Sequence, residues 1–383
     1  MDSANTETTN KEATIADIGT FKLQRFANEA PQKAQYLPSV HGEATDAIAQ
    51  MAGKKIEKDL IAQSGSIKSG EVRLIVHEID KLSGTLGVST HKLLSMGIAC
   101  FTASNHTGLG NSKRLRALRV TFPLKEYALA CGYDVQTHPK ETPEEAEKEA
   151  QRAENALKNA RRKIKKDLQL LLASALTWEE KVKGKVGDFD AVNLLGRAGL
   201  KNGEILMEFS ASMGEYLVKL PLTQYPVALL GVDERNNHAY AMGLKMAEHC
   251  NMDSNQIRGT AQCLRVKTLL AVTNLPDPNS PTVKKVGWKS RIKEPFETAL
   301  DVLSQTLLDN RFSDGWYYSH SKGERLTDKE AEEFSSYEEW ANTLVFFALK
   351  DAPDHTPRLE ARAQEKKDLQ TKKRKNTGKK KKD

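Results

Sequence analysis

The sequence predicts an α+β, mainly helical chain in which a unit of helices followed by a β-hairpin occurs twice. A disordered segment precedes the two units and a basic tail follows them. Three observations predict this. Apolar residues at helical spacing give way to strand-like runs in 177–210, and the same change recurs over 314–349. Two glycine-marked turns, GKVGD and GLKNGE, separate the runs in 177–210. The length, 383 residues, suits two domains plus tails better than one compact domain. The boundaries are placed at 1–70 for a mostly disordered N-terminal segment, 71–222 and 223–352 for the two units, and 353–383 for a disordered lysine-rich tail.

Order is expected to begin at VRLIV (72–76), a short strand. VSTHKLLSMGI (88–98) reads as a helix with Ser89 or Thr90 as N-cap. FPLKEYALACGYDV (122–135) reads as a short helix, with Pro123 in its first turn and Gly132 at its C-terminal end. Thr142, Pro143 and Glu145 then spell a helix start, with glutamates at the positive end of the dipole. That helix runs on through ALKNARRKIKKDLQLLLASAL (156–176). Leu157, Ala160, Ile164, Leu168, Leu171 and Ala175 fall three or four apart and mark one buried stripe. Lys158, Arg161, Arg162, Lys165 and Lys166 fall off it and form the densest basic patch outside the tail. Strand-like runs follow, broken by turns at GKVGD and GLKNGE, with Lys181, Lys183 and Lys185 alternating onto one side of a hairpin. SASMGEYLVKL (210–220) reads as a short closing helix.

The second unit repeats the order. HAYAMGLKMAEHC (238–250) is a helix, and QIRGTAQCLRVKTLLAVTNLP (256–276) a short helix or helix pair. WKSRIKEPFETALDVLSQTLL (288–308) has a basic nose and an apolar body, with Ile292, Phe296, Ala299, Leu300, Leu303 and Leu307 as its buried stripe. Pro295 leaves two starts open for this helix. It begins at Pro295 after an approach loop, or at Ser290 with the Arg291 carbonyl displaced. DGWYYSH (314–320) and ANTLVFFAL (341–349) are the strands that close the unit.

Three helices followed by a two-stranded wing describe the winged-helix form of helix-turn-helix, in which the third helix enters the major groove. Charge bears on this reading once it is located. Residues 365–383 hold ten lysines and arginines against three acidic residues and account for the whole net charge of +7. The remaining residues balance, so nucleic-acid binding by the body requires charge segregated onto faces. The patch 158–166 could be a solvated face, as most charge runs are, but a basic hairpin follows it directly. The candidate DNA-binding residues are therefore Lys158, Arg161, Arg162, Lys165, Lys166, Lys181, Lys183 and Lys185 in the first unit, with Lys289, Arg291, Lys293 and Thr298 in the second. Lys and Arg bind phosphate as point charges, and an Arg guanidinium can also pair with guanine, which makes Arg291 the better candidate for base reading. Lys289 and Lys293 could instead pair with Glu294 and Glu297 nearby.

FPLKEYALACGYDV, NARRKIKKDLQLLL, ILMEFSASMGEYLVKL, HAYAMGLKMAEH and WKSRIKEPFETALDVL, taken in this order, resemble the tandem winged-helix replication initiators of iteron-type plasmids and related mobile elements. The likeness covers roughly residues 85–350 and rests on apolar and basic patterns rather than on invariant signatures. The acidic helix start and the enlarged second wing depart from the family pattern. The resemblance implies binding to repeated duplex sites at an origin, opening of the neighbouring DNA, recruitment of a host helicase, and exchange between a repressing homodimer and an initiating monomer.

Other classes find less support. TGLGNSKR (107–114) lacks the spacing of a phosphate-binding loop, His-x-His is absent, and HExxH and GxSxG are absent too. No catalysis and no cofactor or metal are expected. Cys100, Cys131, Cys250 and Cys263 are far apart without CxxC, which suits a reducing cytosol. No apolar run is long enough to cross a bilayer, and the polar start MDSANTETTNKEA predicts no signal peptide. A cytoplasmic, nucleoid-associated protein without membrane contact is the expectation. A winged-helix transcriptional regulator, or an RNA- or scaffold-binding protein acting through the tail, are the alternatives.

Overall fold

The computed structural model describes residues 36–42, 45, 48–49, 57–59, 64–69, 72–76, 87–105, 115, 117–179, 189–309, 315–320, 324–352 and 364. These form a mixed α/β protein with small antiparallel sheets and one continuous apolar core. The expected tail (353–383), apart from residue 364, and TGLGNSKR lie outside the described residues.

Four strands come first: β1 (Tyr36–Val40), β2 (Glu57–Asp59), β3 (Ser64–Ser69) and β4 (Val72–Val76). The first three lie within the segment 1–70 that was expected to be mostly disordered. Their partners lie far away in sequence or in the strand that follows, so local composition gave no sign of them. Helix α1 (Val88–Asn105) is buried nearly throughout, including most of its polar residues. Ser89 and Thr90 do not cap it. Their hydroxyls donate instead to the Asp167 carboxylate, at 3.1 and 2.8 Å.

Strand β5 (Arg119–Pro123) takes the first residues of the expected helix at 122, and helix α2 (Leu124–Ala130) follows. Gly132, at φ 84°, ends α2. The N–H of Tyr133 bonds to Ala128 O and that of Gly132 to Leu129 O, the paired pattern of a left-handed helix stop. Helix α3 (Pro143–Leu172) starts where expected, with Thr142 Oγ1 accepting from the Glu145 N–H. Ala160, Ile164, Leu168 and Leu171 are buried as its stripe requires.

Two hairpins follow α3. Strands β6 (Ser174–Glu179) and β7 (Phe189–Asn193) extend a sheet of order β2-β3-β4-β6-β7. Strands β8 (Leu195–Lys201) and β9 (Glu204–Phe209) join β5 in a sheet of order β5-β9-β8. Lys201 faces Glu204 across the turn, and Asn202 and Gly203 both have positive φ, which a two-residue hairpin turn of this hand demands. Helix α4 (Ala211–Lys219) closes the unit, with Ser210 as its cap.

Strand β10 (Leu222–Pro226) pairs with β1, and a 3-10 turn (Val227–Gly231) leads on. Helices α5 (Asn237–Asn251) and α6 (Asp253–Arg258) precede strand β11 (Cys263–Arg265) and helices α7 (Val266–Leu270) and α8 (Pro281–Val286). A π-helical turn (Lys289–Lys293) runs directly into helix α9 (Glu294–Thr306). This settles the question raised by Pro295. The helix is continuous, and the wider turn ahead of the proline separates its ring from the carbonyl one turn back. The Glu294 N–H reaches back to Lys289 O, five residues away. Strand β12 (Trp316–Ser319), helices α10 (Asp328–Glu332) and α11 (Tyr337–Asn342), and strand β13 (Leu344–Phe347) complete the chain, with sheet order β11-β13-β12.

The two units therefore share an order of elements. In each a helix precedes a short strand, further helices, and a hairpin whose second strand sits centrally between the other two. The short first strand, β5 or β11, was not anticipated in either unit. A buried polar junction holds the units together. His91 Nδ1 lies 2.8 Å from Tyr240 Oη, which lies 3.0 Å from Tyr225 Oη, and Lys92 Nζ donates to Val232 O. Burial pushes the His91 imidazole down to about 3, so it is neutral here.

Candidate nucleic-acid interface

Helix α3 places its cations by the same periodicity that buries its stripe. Lys158, Arg161, Arg162 and Lys165 point away from the core and are exposed. Strand β8 runs beside the helix, and between them lies a concave groove of ≈ 530 Å³. Those four cations, with Gln169, form its polar lining, and Leu168, Leu172, Ala198, Gly199 and Leu200 form its apolar floor. None of the four cations makes an ion pair among the described residues. Lys163, on the same helix, is held by Glu234 at 3.5 Å and is not part of the groove.

The helix is seated from behind. Asp167 projects from its inner face to Ser89 and Thr90 at the start of α1. Burial raises this carboxyl to about 6, against the opposing pull of Lys163 and the two hydroxyl bonds.

Lys166 is half-buried and does not line the groove. Lys181, Lys183 and Lys185 lie outside the described residues. The hairpin seen to border the groove is β8–β9, within the strand-like runs of 177–210. It also carries Arg197 and Lys201, both exposed but outside the groove lining, which the sequence reading passed over. Their signal was present in the Asn-Gly turn, which is the stronger hairpin mark of the two.

In the second unit, Arg291 is exposed on the π-helical turn. Lys289 is exposed too, but its Nζ donates to Glu332 O at 3.1 Å and lies 5.9 Å from the Trp288 ring centroid. Lys293 behaves as the local-pairing alternative supposed. It is bound to Glu297 at 3.0 Å, its side chain is 12% exposed, and it sits 6.0 Å from the Phe334 ring. Thr298 is exposed, with its hydroxyl donating to Glu294 O at 2.9 Å. Lys284 and Lys285, exposed on α8 just ahead of Arg291, were missed and belong to the same basic nose. Beside this nose lie α10 and α11, which carry Asp328, Glu330, Glu332, Glu338 and Glu339, with Glu333 at the C-cap of α10. They are anchored by Trp340, fully buried against Trp288 and Phe296, and by its Nε1 bond to Tyr318 Oη at 2.8 Å. The first unit therefore presents an open cationic groove, and the second a smaller basic nose bordered by acid.

Among the described residues, no cluster of His, Cys, Asp or Glu is arranged to hold a metal, and no helix is long and apolar enough to cross a membrane. No family model matches the chain, and no curated protein matches it. Among solved structures it is similar to the crystal structure of selenomethionine derivatives of domains 2 and 3 of RctB. Identity is 9% over 83% of this chain and 93% of that one, with a TM-score of 0.34.

Proposed function

We propose that this chain is a sequence-specific double-stranded DNA-binding protein with two winged-helix units, acting as a replication initiator at repeated origin sites. The observation that carries the reading is the groove between α3 and β8, where four cations without ion pairs line one wall. A helix beside a hairpin, with basic side chains facing outward from both, suits a major groove and its flanking phosphates. The shared strand order of the two small sheets, with the last strand central, supports the winged-helix assignment. The resemblance in apolar and basic pattern supports the initiator role, and with it a homodimeric repressing form and a host helicase as partner. On this reading the protein acts without catalysis or cofactor, in the cytoplasm at the nucleoid.

The test is a footprint of the full-length protein on DNA flanking its own gene. Protection of direct repeats, with permanganate-reactive thymines in the adjoining duplex, is the expected result. Protection without duplex opening would make it a winged-helix transcriptional regulator. The confinement of the net charge to residues 365–383 favours one further reading, an RNA- or scaffold-binding protein acting through the tail. That reading requires binding to survive loss of the groove cations and to vanish with the tail.

A further inference from the structure

The groove is not uniformly cationic, and phosphate binding alone does not account for its composition. Along the exposed face of α3 its lining runs Lys158, Arg161 and Arg162, Lys165, Gln169 and then Leu172, each about one helical turn from the last. Chemistry changes along that line from cation to primary amide to alkyl. Gln169 is exposed, and no side-chain hydrogen bond holds it within the protein among the described residues. Leu172 is 39% exposed, although it stands beside a fully formed core. A half-exposed leucine gains nothing from phosphate oxygens, and an amide that donates to phosphate leaves its carbonyl acceptor unused. A glutamine amide matches the N6–H donor and N7 acceptor of adenine, and an alkyl group matches the thymine methyl.

We infer that Gln169 and Leu172 are specificity-determining residues that read an A·T-containing step in the major groove, Gln169 pairing with adenine and Leu172 meeting a thymine methyl. The inference rests on the reading of the groove as a duplex-DNA site. The first unit then reads bases as well as holding the backbone, and the cations Arg161 to Lys165 fix the register in which the amide arrives.

Full-length protein is used to select duplexes from a randomised pool, alongside Gln169→Ala and Gln169→Glu. Affinity for the selected duplex is then measured with 7-deazaadenine or uracil replacing single adenines or thymines. The wild type should select a fixed A·T pair and lose roughly tenfold in affinity when one adenine lacks N7, a loss within the range of a single bidentate contact. Gln169→Ala should be indifferent to that replacement. Gln169→Glu should shift the preference at the same position toward cytosine, whose amino group a carboxylate accepts. Uracil at the neighbouring thymine should weaken the wild type but not Leu172→Ala. Both side chains are solvent-accessible, and melting curves confirm that the variants remain folded. If Gln169→Ala selects the same sequence and loses the same factor on selected and random duplex, the inference fails while duplex binding stands. If the wild type selects no sequence, the DNA-binding proposal fails and the inference with it.

Discussion

Replacing Asp167 by asparagine tests how the groove helix is seated. Asp167 lies under α3, bonded to Ser89 and Thr90, and burial raises its carboxyl from 3.8 to about 6. Burial therefore penalises the charged form, and the carboxyl holds its proton to a higher pH in the folded protein than in the unfolded chain. Its stabilising contribution is fully present below the unfolded value near pH 4 and is lost as pH rises through about 6. Near pH 7.5 the charged carboxylate then costs about 1–3 kcal/mol relative to a neutral acceptor in the same place. Asparagine keeps the carbonyl oxygen that accepts from the two hydroxyls and carries no charge. Urea unfolding followed by tryptophan fluorescence should show Asp167→Asn more stable than wild type by that amount at pH 7.5, and nearly equal to it at pH 4. A variant less stable at pH 7.5, or one with the same shift at both pH values, would refute the reasoning. The first result would mean that the ionised group is held by its hydroxyl partners and Lys163 rather than penalised by burial, and the second that the difference does not come from ionisation.

Other outcomes follow from the same geometry. Neutral His91, pushed down to about 3, makes stability fall as pH drops from about 6.5 toward 3, and His91→Gln should flatten that fall by about 1 kcal/mol per pH unit in acid titrations of unfolding. Lys165→Ala should weaken binding to cognate and random duplex alike and reduce the salt slope by about one, read from binding isotherms at several salt concentrations. Arg291→Ala should weaken cognate binding far more than random binding, while Lys293→Ala, already paired with Glu297, should leave the salt slope unchanged. Trp340→Ala removes the side chain on which Trp288 and Phe296 pack and should destabilise the protein by about 3–5 kcal/mol in urea unfolding.

The helices were legible because their signals are local and repeated. The stripe of α3 recurs through several turns, so its buried and exposed faces could be assigned residue by residue, and the cations of the groove with them. The stripe of α9 was equally clear, and Phe296, Ala299, Leu300 and Leu303 are buried as read. Strands held by distant partners were not legible. SGSIKS (β3) is polar and short and exists as a strand because β4 pairs with it, and β4 in turn is held by β6, about a hundred residues on. CLR (β11) is three residues long and takes its register from β13. The hairpin beside α3 was legible only in part. Lysine alternation drew attention to 181–185, which lies outside the described residues, whereas β8 takes its place from pairing with β9, itself held by the distant β5. Gln169 and Leu172 went unnoticed because a search for charge does not register an amide or an exposed leucine. The π-helical turn at Lys289–Lys293 resolved a conflict that the sequence posed but could not decide.

The central claim, that the groove between α3 and β8 binds duplex DNA sequence-specifically, is tested most directly by one binding comparison on the footprinted site. Full-length Arg161→Glu/Lys165→Glu protein is set against a chain ending at residue 352, both titrated with the site and with random duplex. The account predicts that the groove variant loses preference for the site while the tail-less chain keeps it at lower overall affinity. Preference retained by the groove variant and abolished with the tail would contradict the account.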